Sequence, residues 1–236
     1  MNQFAMAFTP DKLEEAWHVF LTEFPLGLWE TVYVTVLSTL FAIVIGLPLG
    51  ILLVTGDENG IRPMPKPLMK VINVIINFLR SVPFLILIVM VIPLTRAIIG
   101  TSIGSVASIV PLVVAAFPFV ARLVESSLRE LDPNIIEMAQ SMGSSTMQII
   151  FQVMLPESVP SLITNFTLAI TTILGYTAMS GAVGGGGLGN IAIQIGYSRY
   201  KYAVLYIAMI VLVLVVQVFQ GVGSRLAVKL DKRIKR

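Results

Sequence analysis

A run of four glycines carries the first candidate chemistry. VGGGGLGN at 183–190 places Gly184, Gly186 and Gly189 in the order G-x-G-x-x-G. That spacing cradles a pyrophosphate when it joins a strand to a helix. Here neither neighbour reads as a strand, and no Lys-Ser/Thr pair follows, so the run is not a Walker loop. Adjacent glycines instead suit irregular backbone that packs tightly against a helix or re-enters a membrane. A second group is polar: Thr164, Thr167 and Thr171 recur at i, i+3 and i+7, followed by Gly175, Tyr176 and Met179. Such a stripe bonds its own or a neighbouring helix backbone, or it lines a pathway. A third group, Asn73, Asn77 and Arg80, shares one helical face just before Pro83. An arginine within an apolar span marks a functional site by default. Arg80 either pairs with a substrate carboxylate or holds helices together through carbonyls, Glu125 or the asparagines. Pro83 kinks that helix and offers a hinge.

Other chemistries are excluded early. The chain has no cysteine and one histidine, His18, so thiolate sites, disulfides and histidine clusters are absent. Eleven methionines are scattered through spans and loops, which fits packing rather than metal binding.

The elements that must position these groups are membrane helices. Of 236 residues, 56% are hydrophobic and 12% charged, half the charged fraction of a soluble domain, which is about 25%. Mean hydropathy is +0.89. A spanning helix needs roughly 20 apolar residues. Five stretches qualify: 29–54, 70–94, 105–128, 158–180 and 202–223. None alternates at every second residue, as a barrel strand would. The 14-residue apolar run 203–216 is expected to face lipid or a partner helix. Arg62, Lys66, Lys70, Arg129 and the basic tail (Arg225, Lys229, Lys232, Arg233, Lys235, Arg236) lie on one side of this arrangement. The other side has only Lys12, Arg96, Arg199 and Lys201. The positive-inside rule then puts the N-terminus outside and the C-terminus in the cytoplasm. Residues 1–8 lack the basic start of a cleavable signal peptide.

Three regions are expected: a 1–28 external amphipathic segment, a 29–225 permeation domain and a 226–236 basic tail. In the first, Thr9 and Pro10 start a helix whose Leu13, Ala16, Trp17, Phe20 and Phe24 share a face. It either lies on the membrane surface or packs on the first span. The cytoplasmic loop 129–157 is the longest stretch outside the spans. Asp132 and Pro133 open a helix to about Met142, Gly143 ends it, and Ser145-x-x-Gln148 is a capping box for a second. Met147, Ile150, Phe151 and Met154 share a face of that second helix, and Pro156 follows its end. Such a pair is either a connector resting on the bilayer or a docking knob for a soluble partner.

Glu137-Met138-Ala139, three residues, Gly143, nine residues and Val153-Met154-Leu155-Pro156 resemble the EAA loop of bacterial ABC importer permeases. Met138 and Val153 depart from that family's Ala and Ile and keep the apolar character. RSVPF (80–84), IPLTRAIIGTSIG (92–104) and GYTAMSGAVGGGGLG (175–189) are similar to the methionine-importer branch, from about residue 27 onward. The resemblance implies an all-α, five-span type I importer permease in the bacterial inner membrane, a homodimer working by alternating access. It implies two ATP-hydrolysing partner subunits that carry ATP and Mg, an external substrate-binding protein, and no catalytic site, metal or cofactor in this chain. The cargo is methionine, L- and in some cases D-, with no nucleic-acid partner. The loop becomes the coupling helix, with Glu137, Ala139, Ser141, Met142, Gly143, Met147, Leu155 and Pro156 at the ATPase. Asn77, Arg80, Thr164, Thr167, Thr171, Tyr176 and Met179 become candidates for the translocation pathway. Two alternatives stay open: a permease for a polar amino acid such as arginine or histidine, which RSVPF also resembles, and an ion-driven secondary transporter. The latter typically shows internal repeats and intramembrane acids. No repeat is visible, and Glu125 is the nearest such acid.

Overall fold

The structure is a computed structural model and describes residues 9–231. The start of the chain and the last five tail residues, on which the signal-peptide expectation and much of the tail charge fall, lie outside the described residues. Eleven α-helices follow in order among the described residues. They are α1 Pro10–Thr22, α2 Phe24–Thr55, α3 Lys66–Ser81, α4 Phe84–Met90, α5 Ile92–Ile99 and α6 Ser105–Arg129. Then come α7 Pro133–Ser141, α8 Thr146–Gln148, α9 Leu155–Ser180, α10 Gly187–Asn190 and α11 Tyr202–Leu230. Two π-helical segments, Ile149–Met154 and Ile191–Tyr197, extend α8 and α10. No strand occurs among the described residues.

Four helical stretches are long and apolar enough to cross a membrane: Phe24–Thr55, Ser105–Arg129, Thr146–Val183 and Tyr202–Leu230. The expected second span is broken. Lys66–Ser81 and Phe84–Met90 meet at 108°, so they make a fifth span only if the bent pair is taken as one. The kink at Pro83 was expected, but its size was not. Val82 and Pro83 are both extended, at ψ 125° and 134°. The proline lacks an N–H and disfavours helical backbone at the residue before it, so the break falls there. Pro48 sits inside α2 and Pro160 inside α9 without ending either helix. Membrane helices tolerate this where neighbours re-satisfy the freed groups.

The described chain divides into two compact units that alternate along the sequence. One draws on the chain up to Thr39, on Pro83–Val113 and on Ile170–Phe219. The other draws on Leu40–Val82, Val114–Ala169 and the chain from Gln220. In the first, Ala16, Val19 and Phe24 pack with Leu188, Ile191, Ala192, Ala203, Val204 and Ala208. The face of α1 therefore differs from the expected one. Ala16 and Val19 are buried, whereas Leu13 and Trp17 are exposed. Its packing surface is the segment after the glycine run together with the start of α11, not the first span alone. Lys201 also reaches Glu15 at 2.7 Å. Thr9 has the extended backbone of a cap, but its side chain caps nothing. In the second unit, Leu53, Met69, Ile76 and Ala121 form the core, with Leu49, Met64 and Ile72 against it. The 203–216 run is split: Ala203, Val204 and Ala208 are buried, while Met209, Ile210, Val213 and Leu214 are exposed.

Candidate functional site

The 129–157 loop is built by its local signals. The Asp132 carboxylate accepts from the Asn134 N–H at 3.0 Å, and Pro133 takes the first helical position of α7. Gly143 follows with φ 79°, a left-handed conformation that a glycine adopts without penalty. Ser145 N–H donates to Gln148 Oε1 at 2.8 Å, and Gln148 N–H donates back to Ser145 Oγ, which closes the capping box. Ala139 is buried and Glu137, Ser141, Met142 and Gly143 are exposed.

The second half departs from expectation. After one α-turn the chain widens into the π segment Ile149–Met154, in which Leu155 N–H bonds to the carbonyl of Ile150. Helix then continues through Pro156 to Ser180, so Pro156 does not mark an end. An α-helical proline clashes with the carbonyl four residues back, and the wider turn before it relieves that geometry. The widening also divides the expected face. Ile149, Ile150 and Met154 turn inward, whereas Met147 and Phe151 point out at 64% and 62% exposure. With Met138 and Met142, also exposed, they form an apolar surface on a segment otherwise rich in polar residues.

The glycine run is irregular backbone, as expected. A 3₁₀ turn Gly181–Val183 precedes it, and the four-residue α10 follows. Gly184 and Gly185 donate to the carbonyls of Gly181 and Ser180, and the N–H groups of Gly187 and Leu188 are met by side chains from other elements of the same unit. Glu30 Oε2 accepts from Gly187 N–H at 2.7 Å, and Thr31 Oγ1 accepts from Leu188 N–H at 2.9 Å. Gly186 and Gly187 have φ 75° and 70°. A Cβ on Gly186 would lie 2.8 Å from Glu30 Oε2, and one on Gly187 would lie 2.7 Å from Thr31 Oγ1. The approach and the conformation both require glycine here. Sequence reasoning passed over Glu30 and Thr31. The signal that would have found Glu30 is an acid placed inside an apolar span.

The charged cluster of the other unit corrects the reading of Arg80. Glu125, Asn73 and Asn77 are engaged by Arg122, not by Arg80. Arg122 Nη1 reaches Glu125 Oε2 at 2.6 Å. Its Nη2 reaches Asn73 Oδ1 at 2.6 Å and Asn77 Oδ1 at 3.0 Å. Arg129 bridges Glu125 Oε1 at 3.0 Å and Asp57 Oδ2 at 2.8 Å. The hydrogen bond from Arg129 and a second from Glu58 N–H hold the Asp57 carboxyl below the ordinary carboxylate range. Arg80 is exposed in the last turn of α3, with no hydrogen bond or ion pair among the described residues. The helix break three residues later is what sets it there: α3 ends instead of carrying Arg80 into the middle of a straight span.

The threonine stripe is largely consumed by local bonds. Thr164 Oγ1 donates to Pro160 O at 3.0 Å, and Thr167 Oγ1 donates to Ile163 O at 2.7 Å. Thr167 also packs directly on Gly223 of α11. Thr164 lines a cavity of about 410 Å³ with Glu130, Glu157, Ser158, Ser161 and Asp231. In the first unit, Tyr176 stacks on Phe84 with ring centroids 4.7 Å apart, and Met179 is exposed. Thr171 is half-buried. Among the described residues no group of three or more His, Cys, Asp or Glu is arranged to hold a metal.

Comparison with known proteins identifies the family. Residues 46–236 match the model of the family described as binding-protein-dependent transport system inner membrane component. The chain is 47% identical over 208 residues to a probable D-methionine transport system permease protein MetI of Pasteurella multocida, covering 88% of this chain and 95% of that one. It is 42% identical over 205 residues to the corresponding probable permease of Vibrio cholerae, covering 87% and 91%. Among solved structures it resembles an inward-facing MetNI methionine ABC transporter with a TM-score of 0.85 at 44% identity. That match covers 87% of this chain and 95% of that one. An amino acid ABC transporter crystallised with histidines shares the fold alone, with a TM-score of 0.70 at 22% identity. The chain belongs to the family of binding-protein-dependent transport system inner membrane components and is a multi-pass membrane protein of the ABC permease fold.

Proposed function

We propose that the chain is the permease subunit of an ATP-driven importer that carries methionine, L- and also D-, across the inner membrane. The observation that carries this reading is the 133–154 loop. A capped helix, a left-handed glycine and a second capped turn present Met138, Met142, Met147 and Phe151 outward. Exposed apolar groups rimmed by polar ones mark a partner surface. The partner is an ATP-hydrolysing subunit, two of them on a homodimer of this chain, with an external protein delivering substrate. Glu137, Ala139, Ser141, Gly143, Leu155 and Pro156 shape the docking segment. The chain itself performs no covalent chemistry, and ATP with Mg belongs to the partner. The tail and the docking loop face the cytoplasm, as the Lys and Arg distribution supports. Among pathway residues, Tyr176 and Met179 of one unit, and Arg80, Asn77 and Thr164 of the other, remain candidates. Thr167 and Thr171 are weaker ones, since Thr167 is committed to helix packing.

The test is uptake of labelled L-methionine into proteoliposomes holding this chain, its ATPase and its binding protein, with arginine and histidine as competitors. Uptake that needs ATP and yields only to methionine-like competitors is expected. Gly143→Asp should abolish it and reduce ATPase copurification, while the membrane protein stays folded. ATP-independent uptake, or normal coupling in Gly143→Asp, would remove the docking reading. ATP-driven uptake of another amino acid would keep that reading and replace the substrate.

A further inference from the structure

We infer that Glu30 is a positioning residue for transport, because its carboxylate fixes the 184–188 glycine loop to α2 and to the start of α6. The inference rests on the permease reading above. Both carboxylate oxygens are used. Oε2 accepts from Gly187 N–H at 2.7 Å, and Oε1 accepts from Ser105 Oγ at 3.0 Å. Ser105 Oγ in turn accepts from the Tyr33 hydroxyl at 2.7 Å. The residue after Glu30 repeats the act, since Thr31 Oγ1 holds Leu188 N–H at 2.9 Å. Gly104 N–H donates to the carbonyl of Gly184 at 2.9 Å. The loop is thus bound at 184, 187 and 188 by residues of one unit that lie far from it in sequence.

A solvated acid that merely reaches the membrane surface would show none of this. Its oxygens would face water, and the loop's N–H groups would find other acceptors. Bonds from N–H or O–H donors to an ionised carboxylate are short and strong. Irregular backbone in apolar surroundings must have every N–H met. Glu30 supplies the acceptor that the N–H of Gly187, a positive-φ residue at the start of α10, cannot obtain from a preceding helical turn. It lies inside the first span, Phe24–Thr55, where an ionisable side chain is a functional candidate by default. The loop directly follows the helix that carries Tyr176 and Met179. Its position therefore sets where that helix ends. Release of the loop should slow the transport cycle without changing how substrate is recognised.

The test uses the assembled transporter and two readouts. Hydrogen exchange follows the 184–190 and 133–154 segments, and proteoliposome uptake of labelled L-methionine gives maximal rate and KM. In Glu30→Ala, exchange at 184–190 should quicken at least tenfold with 133–154 unchanged. Maximal uptake should fall at least tenfold, KM should change less than twofold, and ATP hydrolysis should persist. Glu30→Gln keeps one acceptor for Gly187 and should fall between Ala and wild type on both readouts. It also serves where the alanine variant does not accumulate. Unchanged exchange at 184–190 would overturn the positioning role, as would equal loss of protection across the whole chain. Faster loop exchange with a normal maximal rate would overturn its importance for transport. If the wild-type assembly shows no ATP-driven uptake, the permease reading fails, while the exchange data still decide whether Glu30 holds the loop.

Discussion

Glu30 in one unit and Arg122 in the other each bring a charge into apolar surroundings, and they engage different kinds of partner. Glu30 accepts from a backbone N–H of irregular chain and from a hydroxyl. Arg122 donates to three side chains, all on regular helices: Glu125, Asn73 and Asn77. The arginine cluster also shares its members, because Glu125 receives both Arg122 and Arg129. Regular helices satisfy their own backbone, so a charge between them acts only through side chains, and a neighbour can take over part of its role. Irregular backbone has no such reserve. The difference predicts a cluster at Arg122 whose loss costs stability, and one at Glu30 whose loss costs position.

The largest expected effect breaks the arginine side. Arg122→Ala strands two asparagines and leaves Glu125, 13% exposed, with Arg129 alone. Removing one partner of a buried pair costs about 3–5 kcal/mol. Thermal unfolding in detergent reads it. Arg122→Lys should recover less than half, because one ammonium cannot reach three acceptors in a planar fork. A loss below about 1 kcal/mol in Arg122→Ala would mean that Arg129 carries the cluster.

An intermediate effect sharpens the glycine side. Gly186→Ala meets both a φ of 75° and a carboxylate oxygen 2.8 Å from its Cβ. The backbone strain alone is worth about 1–3 kcal/mol. Combined with Glu30→Ala, the part due to the carboxylate should vanish and the part due to φ should remain, which a double-mutant cycle separates. Strict additivity would show that Glu30 and Gly186 do not press on one another.

The smallest effect lies at the exposed edge of the arginine cluster. Asp57 is 43% exposed, so its pair with Arg129 is worth about 0–1 kcal/mol and weakens with salt. Its carboxyl is held below the ordinary range by the Arg129 hydrogen bond. A depressed carboxylate stabilises above its unfolded pKa, and that contribution is lost as pH falls through the folded value. Unfolding midpoints of wild type and Asp57→Asn should therefore differ slightly at neutral pH and converge in acid. A gap that widens in acid would reverse the assigned sign.

The sequence was most legible where the signal is local. Asp132, Gly143, Ser145 and Gln148 state their caps within three or four residues, and those caps formed as expected even where the helix after them did not. Long apolar runs gave four spans, but the helices expected at 158–180 and 202–223 extend well beyond those bounds, to Thr146–Val183 and Tyr202–Leu230. What escaped is set by distant partners. Arg80 and Arg122 both look able to reach Glu125. Only the facing of α3 against α6, 49 residues from Asn73 to Arg122, chooses between them. Glu30 lies 157 residues from Gly187, beyond any periodicity argument. The π segment escaped for another reason: Ile149–Met154 carries no residue that distinguishes a five-residue closure from a four-residue one.

That segment has a mechanical consequence. Because Ile149–Met154 bridges α8 and α9 without a break, helix runs from Thr146 to Val183. Met147 and Phe151 lie on its exposed side, while Ile149, Ile150 and Met154 turn inward. A push on the exposed pair is therefore passed directly to the buried side of the same short segment. On its near side the chain turns at Gly143, with φ 79°.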